Sequence, residues 1–359
     1  MDHKDHEGIQ RKDRLSIVLR GKKAFGSGII LLIVLTLSAC APTPQDCAKT
    51  NVFCAGLVTA SGSVNDNDIN QQAWLGLQDA KAAGLVNRID YIETVDSRDR
   101  AKNIDFFAMN GYDVIITVGS SLSEDTITAA QKYPNLKFIG VEQEQTEKYS
   151  NVTGLVFHED QSAFMAGSLA AMITQTNHVG AACEAKFIEA MRRYCDGFQA
   201  GARYINPNID VLLAYREGSQ EKLFNDPSWG NLAASQMVSD GADVIFAAGG
   251  ATADAVLETA ASDGVYVIGS ETDPYARLTG IRSQLVSSAV SDIRSGVQDL
   301  MRLAQKGQLP SGDYFGQTGL APFHDLENQI PPDVVKKLDS VHLGLENSSI
   351  QTEIPYIAP

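Results

Sequence analysis

Asp113-Val-Ile-Ile-Thr-Val-Gly119 is the stretch on which the fold reading turns. Five β-branched residues in a row, four of them apolar, end at a glycine. Such a run reads as a strand buried on both faces, and strands of that kind belong to parallel sheets covered by helices. The neighbouring pattern agrees. Helix-period segments are predicted at 98–109 and 123–131, followed by strands at 137–141 and 151–157. Upstream come a strand at 52–59, a helix at 69–83 with Ala73, Leu77 and Ala80 on one face, and a strand at 89–95. After a helix at 161–174 the pattern restarts. Strands at 178–182, 210–215, 242–247 and 265–268 alternate with helices at 187–204, 231–239 and 251–262. A helix is predicted near 288–305. The stretch 314–359 reads as irregular apart from a helix at 333–338. Strands alternating with helices imply βαβ units, and two such runs imply two doubly wound parallel-sheet α/β domains. Ligands of these sheets bind outside the carboxyl ends of the strands. Two such ends facing each other across a hinge form a closing cleft.

The first 39 residues read differently. A basic segment (Arg11, Lys12, Arg14, Arg20, Lys22, Lys23) precedes an apolar run over 29–37. That run is shorter than the roughly 20 apolar residues that span a bilayer. Basic then apolar then small residues is the pattern of a secretory signal. Leu37-Ser-Ala-Cys40 resembles the lipobox of bacterial lipoproteins, which implies that Cys40 is diacylated and becomes the first residue of the mature chain. An ordinary signal peptide with an incidental cysteine is the competing reading. Residues 40–51 then form a lipidated terminus and spacer, and the expected location is the extracytoplasmic face of a cell membrane. The first 39 residues carry seven Lys or Arg and four Asp or Glu, so a whole-chain charge of −15 becomes −18 without them. That sign argues against a nucleic-acid partner.

Besides Cys40 the cysteines are Cys47, Cys54, Cys183 and Cys195, an even number for an oxidising compartment. Cys47 with Cys54 closes a short loop and is the preferred pair. A helix over 187–204 puts Cys195 well inside it and away from Cys183, whereas bridged Cα atoms lie within about 7 Å. Four unpaired thiols remain the alternative.

Several segments resemble the basic membrane protein (Bmp) family of periplasmic-binding-like lipoproteins, which includes purine nucleoside receptors of ABC transporters. Gly56-Leu-Val-Thr-Ala-Ser-Gly-Ser-Val-Asn-Asp-Asn-Asp-Ile-Asn-Gln-Gln-Ala-Trp74-Leu-Gly76 is similar to the family's opening strand and loop. Gly111 to Gly119, Ala163-Phe-Met-Ala-Gly167, Asp196-Gly-Phe-Gln-Ala-Gly-Ala202, Gly241-Ala-Asp-Val-Ile-Phe246 and Ile268-Gly-Ser-Glu-Thr-Asp273 follow in order. The resemblance implies a type I periplasmic-binding-protein-like fold with a three-crossover hinge. It also implies partners: a small nucleoside-like ligand, and permease and ATPase subunits on other chains. The expected lobes are 52–157 plus about 273–305, and 158–272 plus about 306–359.

Carried over residue by residue, the resemblance puts Asp66, Asn70 and Gln71 in the cleft. Asn and Gln can pair with a purine edge, and carboxylates accept hydroxyl donors. Helix capping is the competing reading for Asp66 and the preferred one for Asp68. Leu223-Phe-Asn-Asp-Pro-Ser-Trp-Gly230 resembles a ring-stacking segment, with Phe224, Asp226 and Trp229 as candidates; packing on a loop is the alternative. Gly249 and Gly250 follow a buried strand and either let a ligand near the backbone or simply turn the chain. Glu271 and Asp273 stand where the family binds ribose hydroxyls, Ser120 follows Gly119, and Glu142 is a further lining candidate. Ile69, Ala60 and Ser120 depart from the family by removing ring surface or charge.

The sequence holds no His-Glu-x-x-His, Gly-x-Ser-x-Gly, Cys-x-x-Cys or Gly-x-x-x-x-Gly-Lys-Ser/Thr. His158-Glu159-Asp160 reads as an interdomain loop rather than a metal site. No cofactor, metal or enzymatic activity is expected. The expectation is a lipid-anchored solute-binding protein that captures a small polar ligand, foremost a purine nucleoside. A sensory lipoprotein signalling to a receptor, and a receptor for sugars or other polar solutes, are the alternatives.

Overall fold

The computed structural model describes residues 47–355. The basic segment, the apolar run and Cys40 lie outside the described residues. Cys47 and Cys54 are bridged, with Cα atoms 5.8 Å apart, so the start of the described chain is tied to the first strand.

The first lobe is built from β1 (Cys54–Thr59), α1 (Ile69–Ala82), β2 (Arg88–Ile92), α2 (Arg100–Met109), β3 (Val114–Val118), α3 (Ser123–Lys132), β4 (Lys137–Val141) and β5 (Val152–Val156). The chain then crosses to the second lobe: α4 (Glu159–Ile173), β6 (His178–Cys183), α5 (Glu189–Ile205), β7 (Asp210–Tyr215), α6 (Pro227–Ser239), β8 (Val244–Ala248), α7 (Gly250–Ser262), β9 (Tyr266–Glu271) and β10 (Leu285–Ser291). It returns to pack α8 (Ile293–Gln305) on the first lobe and add β11 (Gly312–Phe315) there. It crosses a third time into β12 (Thr318–Leu320) and α9 (Pro332–Glu346). The sheet orders are β11-β5-β4-β3-β1-β2 and β12-β10-β9-β8-β6-β7. They match position for position, and all pairings are parallel except β10 with β12.

β3 is the run that opened the reading, and every one of its residues is buried. Its counterpart is β8, preceded by Gly241-Ala-Asp as β3 is by Gly111-Tyr-Asp. The two aspartates do the same work. Asp113 accepts the Cys54 amide at 2.7 Å, and Asp243 accepts the amides of Gln175 at 2.6 Å and Thr176 at 3.0 Å.

The expected lobe boundaries need correction at two places. Residues 273–291 stay with the second lobe: Tyr275, Leu278 and Ile281 pack in its core, and 285–291 form β10 of its sheet, where the sequence pattern predicts a helix from 288. Residues 312–315 belong to the first sheet, not to the second lobe. The helix that does join the first lobe begins at Ile293, where the Asp292 carboxylate accepts the Ser295 amide at 3.0 Å as an N-cap. Ile293, Val297, Leu300 and Met301 recur at helical spacing, are fully buried and pack against Ala73, Leu77 and Ala80 of α1. Full burial of a Leu- or Met-sized side chain contributes roughly 1.5–3 kcal/mol, which holds this late helix on the early lobe.

In the second lobe α4 and α5 lie against each other at backbone distance. A Cβ at Gly167 would sit 1.9 Å from the Phe198 carbonyl oxygen, so only glycine permits the approach. Cys183, at the end of β6, and Cys195, inside α5, are bridged with Cα atoms 6.1 Å apart. The expectation that they stand apart fails because α5 folds back over the strand that precedes it.

Candidate ligand cleft

A cavity of about 510 Å³ lies between the lobes, at the carboxyl ends of both sheets. The first lobe contributes the loop after β1 (Ala60, Ser61), the start of α1 (Asp68, Ile69), the turn after β3 (Gly119, Ser120) and the loop after β4 (Glu142, Glu144). The second lobe contributes Glu159, the first turns of α5, Phe224, Gly250 and Glu271. Ile69, Ile188, Met191, Tyr194 and Phe224 supply apolar surface.

The charged lining is mostly acidic. Asp68, Glu142, Glu144, Glu159, Glu189 and Glu271 face one guanidinium among the described lining residues, that of Arg193. Arg193 is 2% exposed; its Nε donates to Glu159 at 2.7 Å and its Nη2 to Glu144 of the other lobe at 3.2 Å. Burial raises Glu159, and the adjoining Arg193 opposes that rise. Glu142 follows β4 and Glu271 closes β9, the matching strand of the second sheet. Both hold left-handed backbone, at φ 58° and 65°, an uncommon state for a side chain this long. Burial, then repulsion from Glu159 and Asp68, pushes Glu142 up to about 8. Burial, then repulsion from Glu142, raises Glu271 well above the ordinary carboxylate range. Two carboxyls that hold their protons this tightly can both donate to and accept from the hydroxyls of a ligand.

Two contacts bridge the lobes beside the cavity. Thr272 Oγ1 donates to Asp68 Oδ1 at 2.6 Å, and Arg277 lies 3.7 Å from Asp68 Oδ2 while pairing with Asp254. Asp68 occupies the N-cap position of α1, yet its carboxylate makes no cap bond. The capping role expected for it is replaced by a bond to the other lobe.

Of the residues singled out in sequence, Ser120, Glu142, Phe224, Gly250 and Glu271 line the cavity. Gly249 lines a small adjoining pocket with Asp68, Gly250 and Glu271, and the remaining candidates are engaged in local contacts. Asp66 accepts from Asn70 Nδ2 at 2.7 Å and from the amides of Asp68 and Gln71 at 2.8 and 3.1 Å. Asn70 also donates to the Ser61 carbonyl at 3.0 Å, and Gln71 Oε1 accepts the Asn67 amide at 2.6 Å. This trio ties the loop that carries Asp68 and Ile69. Asp226 caps α6 by accepting the Trp229 amide at 3.4 Å, and Trp229 packs on the apolar side of that helix. Asp273 pairs with His324 at 2.6 Å and the Tyr275 amide at 3.1 Å. Gly249 approaches Glu184, where a Cβ would fall 2.5 Å from the Glu184 Cβ. Sequence reasoning passed over Asp68 as a ligand-side group and missed Glu144, Glu159, Arg193 and Tyr194. The buried arginine had one faint signal: it sits among Met191, Tyr194, Cys195 and Phe198, all on the packed side of α5. Among the described residues no group of three or more His, Cys, Asp or Glu is arranged to hold a metal, and no helix is long and apolar enough to cross a membrane.

Known proteins share this architecture. A solute-binding protein of an ABC transporter system from Aeropyrum pernix superposes with a TM-score of 0.68 at 20% identity, over 84% of this chain and 94% of that one. The ABC transporter nucleoside-binding protein BmpA of Lactococcus lactis is 29% identical over 315 residues, covering 80% of this chain and 85% of its own. A CD4+ T-cell-stimulating antigen of Listeria monocytogenes is 26% identical over 357 residues, covering 92% of this chain and 98% of its own. The model of the Bmp family, ABC transporter substrate-binding proteins of the PnrA-like type, matches residues 54–337. Two parallel-sheet lobes, a cleft at their strand ends and that match together place the chain in the PnrA-like Bmp family, whose members are solute-binding partners of ABC transporters and not enzymes.

Proposed function

We propose that this chain captures a nucleoside, foremost a purine nucleoside, in the interlobe cavity and hands it to an ABC permease while a lipid on Cys40 keeps it at the membrane. The observation that carries the ligand class is the pairing of one aromatic wall, Phe224, with carboxyls from both lobes in one cavity. A planar base stacks on a ring for about 1–3 kcal/mol. Ribose hydroxyls are donors, and Glu142, Glu271 and Asp68 are acceptors. A volume near 510 Å³ suits a ligand of that size. The acidic surplus selects an uncharged ligand and turns away its phosphorylated forms. The nucleoside-binding relative from Lactococcus lactis supports the same class. Within this reading the contact set is Asp68, Ser120, Glu142, Phe224, Gly250 and Glu271, and the lobes are 52–157 with 293–315 and 158–291 with 318–346.

Thermal unfolding with a panel of nucleosides and their 5′-monophosphates tests the ligand. A ligand that binds the folded state alone raises Tm. Stabilisation by a nucleoside and none by its monophosphate is expected; no response to any nucleoside at millimolar concentration would sink the assignment. Mass spectrometry of the mature chain tests the anchor. An acylated Cys40 at the N-terminus is expected, and cleavage elsewhere or a bare Cys40 overturns it.

A further inference from the structure

The Phe224 wall belongs to no helix or strand. It lies between a turn at Gln220–Lys222 and α6, and Phe224 itself holds φ 60°. An aromatic residue in left-handed backbone persists only where its surroundings compel it. Here the compulsion converges on one fully buried carboxylate, Glu184, directly after β6. Its Oε2 accepts the Phe224 amide at 2.9 Å and Thr252 Oγ1 at 3.0 Å. Thr252 Oγ1 in turn accepts the Asp226 amide at 2.9 Å. Its Oε1 accepts the Ala185 amide at 3.1 Å and pairs with Arg216, which follows β7 and is itself buried. Glu184 therefore binds together the ends of β6 and β7, the first turn of α7 and the loop that carries the ring.

The first lobe shows that the sheet itself does not need this carboxylate. Ala60 occupies the matching place after β1: its amide donates to the Val118 carbonyl as that of Glu184 donates to the Ala248 carbonyl. Ala60 lines the cavity with a methyl group, and the same six-stranded order forms around it. A buried ion pair is a poor source of net stability but a good device for fixing one conformation.

We propose that Glu184 is a positioning residue of the ligand cleft. It holds the Phe224 wall in its ligand-ready place and touches no ligand. The inference rests on Phe224 being a ligand wall, as argued under the proposed function. Glu184→Gln tests it sharply, because whichever way the amide sits, its NH2 faces at least one N–H donor: Ala185 and Arg216 on one side, Phe224 on the other. Inosine is the probe, titrated calorimetrically into wild type, Glu184→Gln, Phe224→Ala and the double variant. Glu184→Gln is expected to weaken inosine binding about tenfold in the wild-type background and less than about twofold once Phe224 is gone. Thr252→Val, which keeps the shape and removes the two bonds made through Thr252 Oγ1 while leaving the Glu184 bond to the Phe224 amide, is expected to weaken it about threefold and covers the case in which Glu184→Gln does not fold. Equal losses with and without the ring would show a general structural role and overturn the proposal, as would unchanged affinity. Amide hydrogen exchange supplies a readout that needs no ligand. Faster exchange at Phe224 in either variant, with the β6 and β8 amides still protected, supports the positioning role; unchanged exchange at Phe224 refutes it. Should inosine not bind wild type at all, the nucleoside reading fails, and the exchange arm still decides whether Glu184 holds the wall.

Discussion

The two lobes share a sheet order strand for strand but hold their cavity loops in different ways. The first lobe ties its loop with short polar side chains, Asp66 and Asn70, working against the backbone. The second uses a buried ion pair, Glu184 with Arg216, at a point where the first has only Ala60. What the lobes keep in common is a glutamate in left-handed backbone after matching strands, Glu142 and Glu271. A repeated fold thus separates what the architecture requires from what a ligand requires. The sheet is common, the paired glutamates line one cavity from matching strands of the two lobes, and the ring is installed on one side alone.

The contrast can be broken most severely at Arg216. Arg216→Leu strands the Glu184 charge in a fully buried place, and removing one partner of a buried pair costs about 3–5 kcal/mol; denaturant unfolding should show that loss, and a change under 1 kcal/mol would mean the pair is not buried as described. Next is the second-lobe disulfide. Replacing Cys183 and Cys195 by Ser releases a bridge of sequence separation 12, worth about 3 kcal/mol in the chain-entropy account. The Cys47–Cys54 bridge spans 7 and restrains a terminal segment, so opening it should cost less in the same unfolding measurement.

The paired glutamates predict a pH effect of intermediate size. Each holds its proton more tightly in the folded chain than in the unfolded one, where a Glu titrates near 4.5. Their stabilising contribution is therefore complete below that value and declines as pH rises toward about 8, the level of Glu142. Tm measured from pH 5 to 8 should fall more steeply for wild type than for the Glu142→Gln, Glu271→Gln double variant. Parallel curves would show that the two carboxyls are not shielded as the cavity suggests. The smallest effect is expected from Asn70→Ala, which leaves one oxygen of Asp66 short of a donor and should cost about 1–2 kcal/mol. A larger loss would mean that the first lobe depends on its loop as heavily as the second does.

How far the sequence could be read varied with the reach of each interaction. β3 was plain because five β-branched residues in succession leave no helical face. The second half of β10 reads as the start of a helix because Ser287 and Ser288 interrupt its apolar pattern. Both hydroxyls are buried, donating at 2.7 Å to the carbonyls of Ala321 and Thr272, contacts no local window contains. β11, four residues long, gave no pattern at all. The cleft behaved likewise. Phe224 and Glu271 were legible from the segments that carry them, whereas Asp68 looked like a helix cap because its true partner, Thr272, lies 204 residues away. Asp66, Asn70 and Gln71 have the right chemistry for a ligand but spend it on their own loop. Arg193 depended on the rotation of α5 about its axis, which the sequence signals only through the apolar residues around it.

The three crossings carry a consequence for how the chain is made. The first sheet lacks its outer strand until residue 315 has been synthesised, and α1 has no helix packed beside it on the sheet until α8 follows at 293–305. Domains emerging from a ribosome ordinarily fold in order, first half first. Here the first lobe must wait, with an exposed apolar face, for nearly the whole polypeptide. For a chain exported unfolded, as the proposed anchor requires, that delay is an advantage: the topology itself discourages premature folding on the wrong side of the membrane.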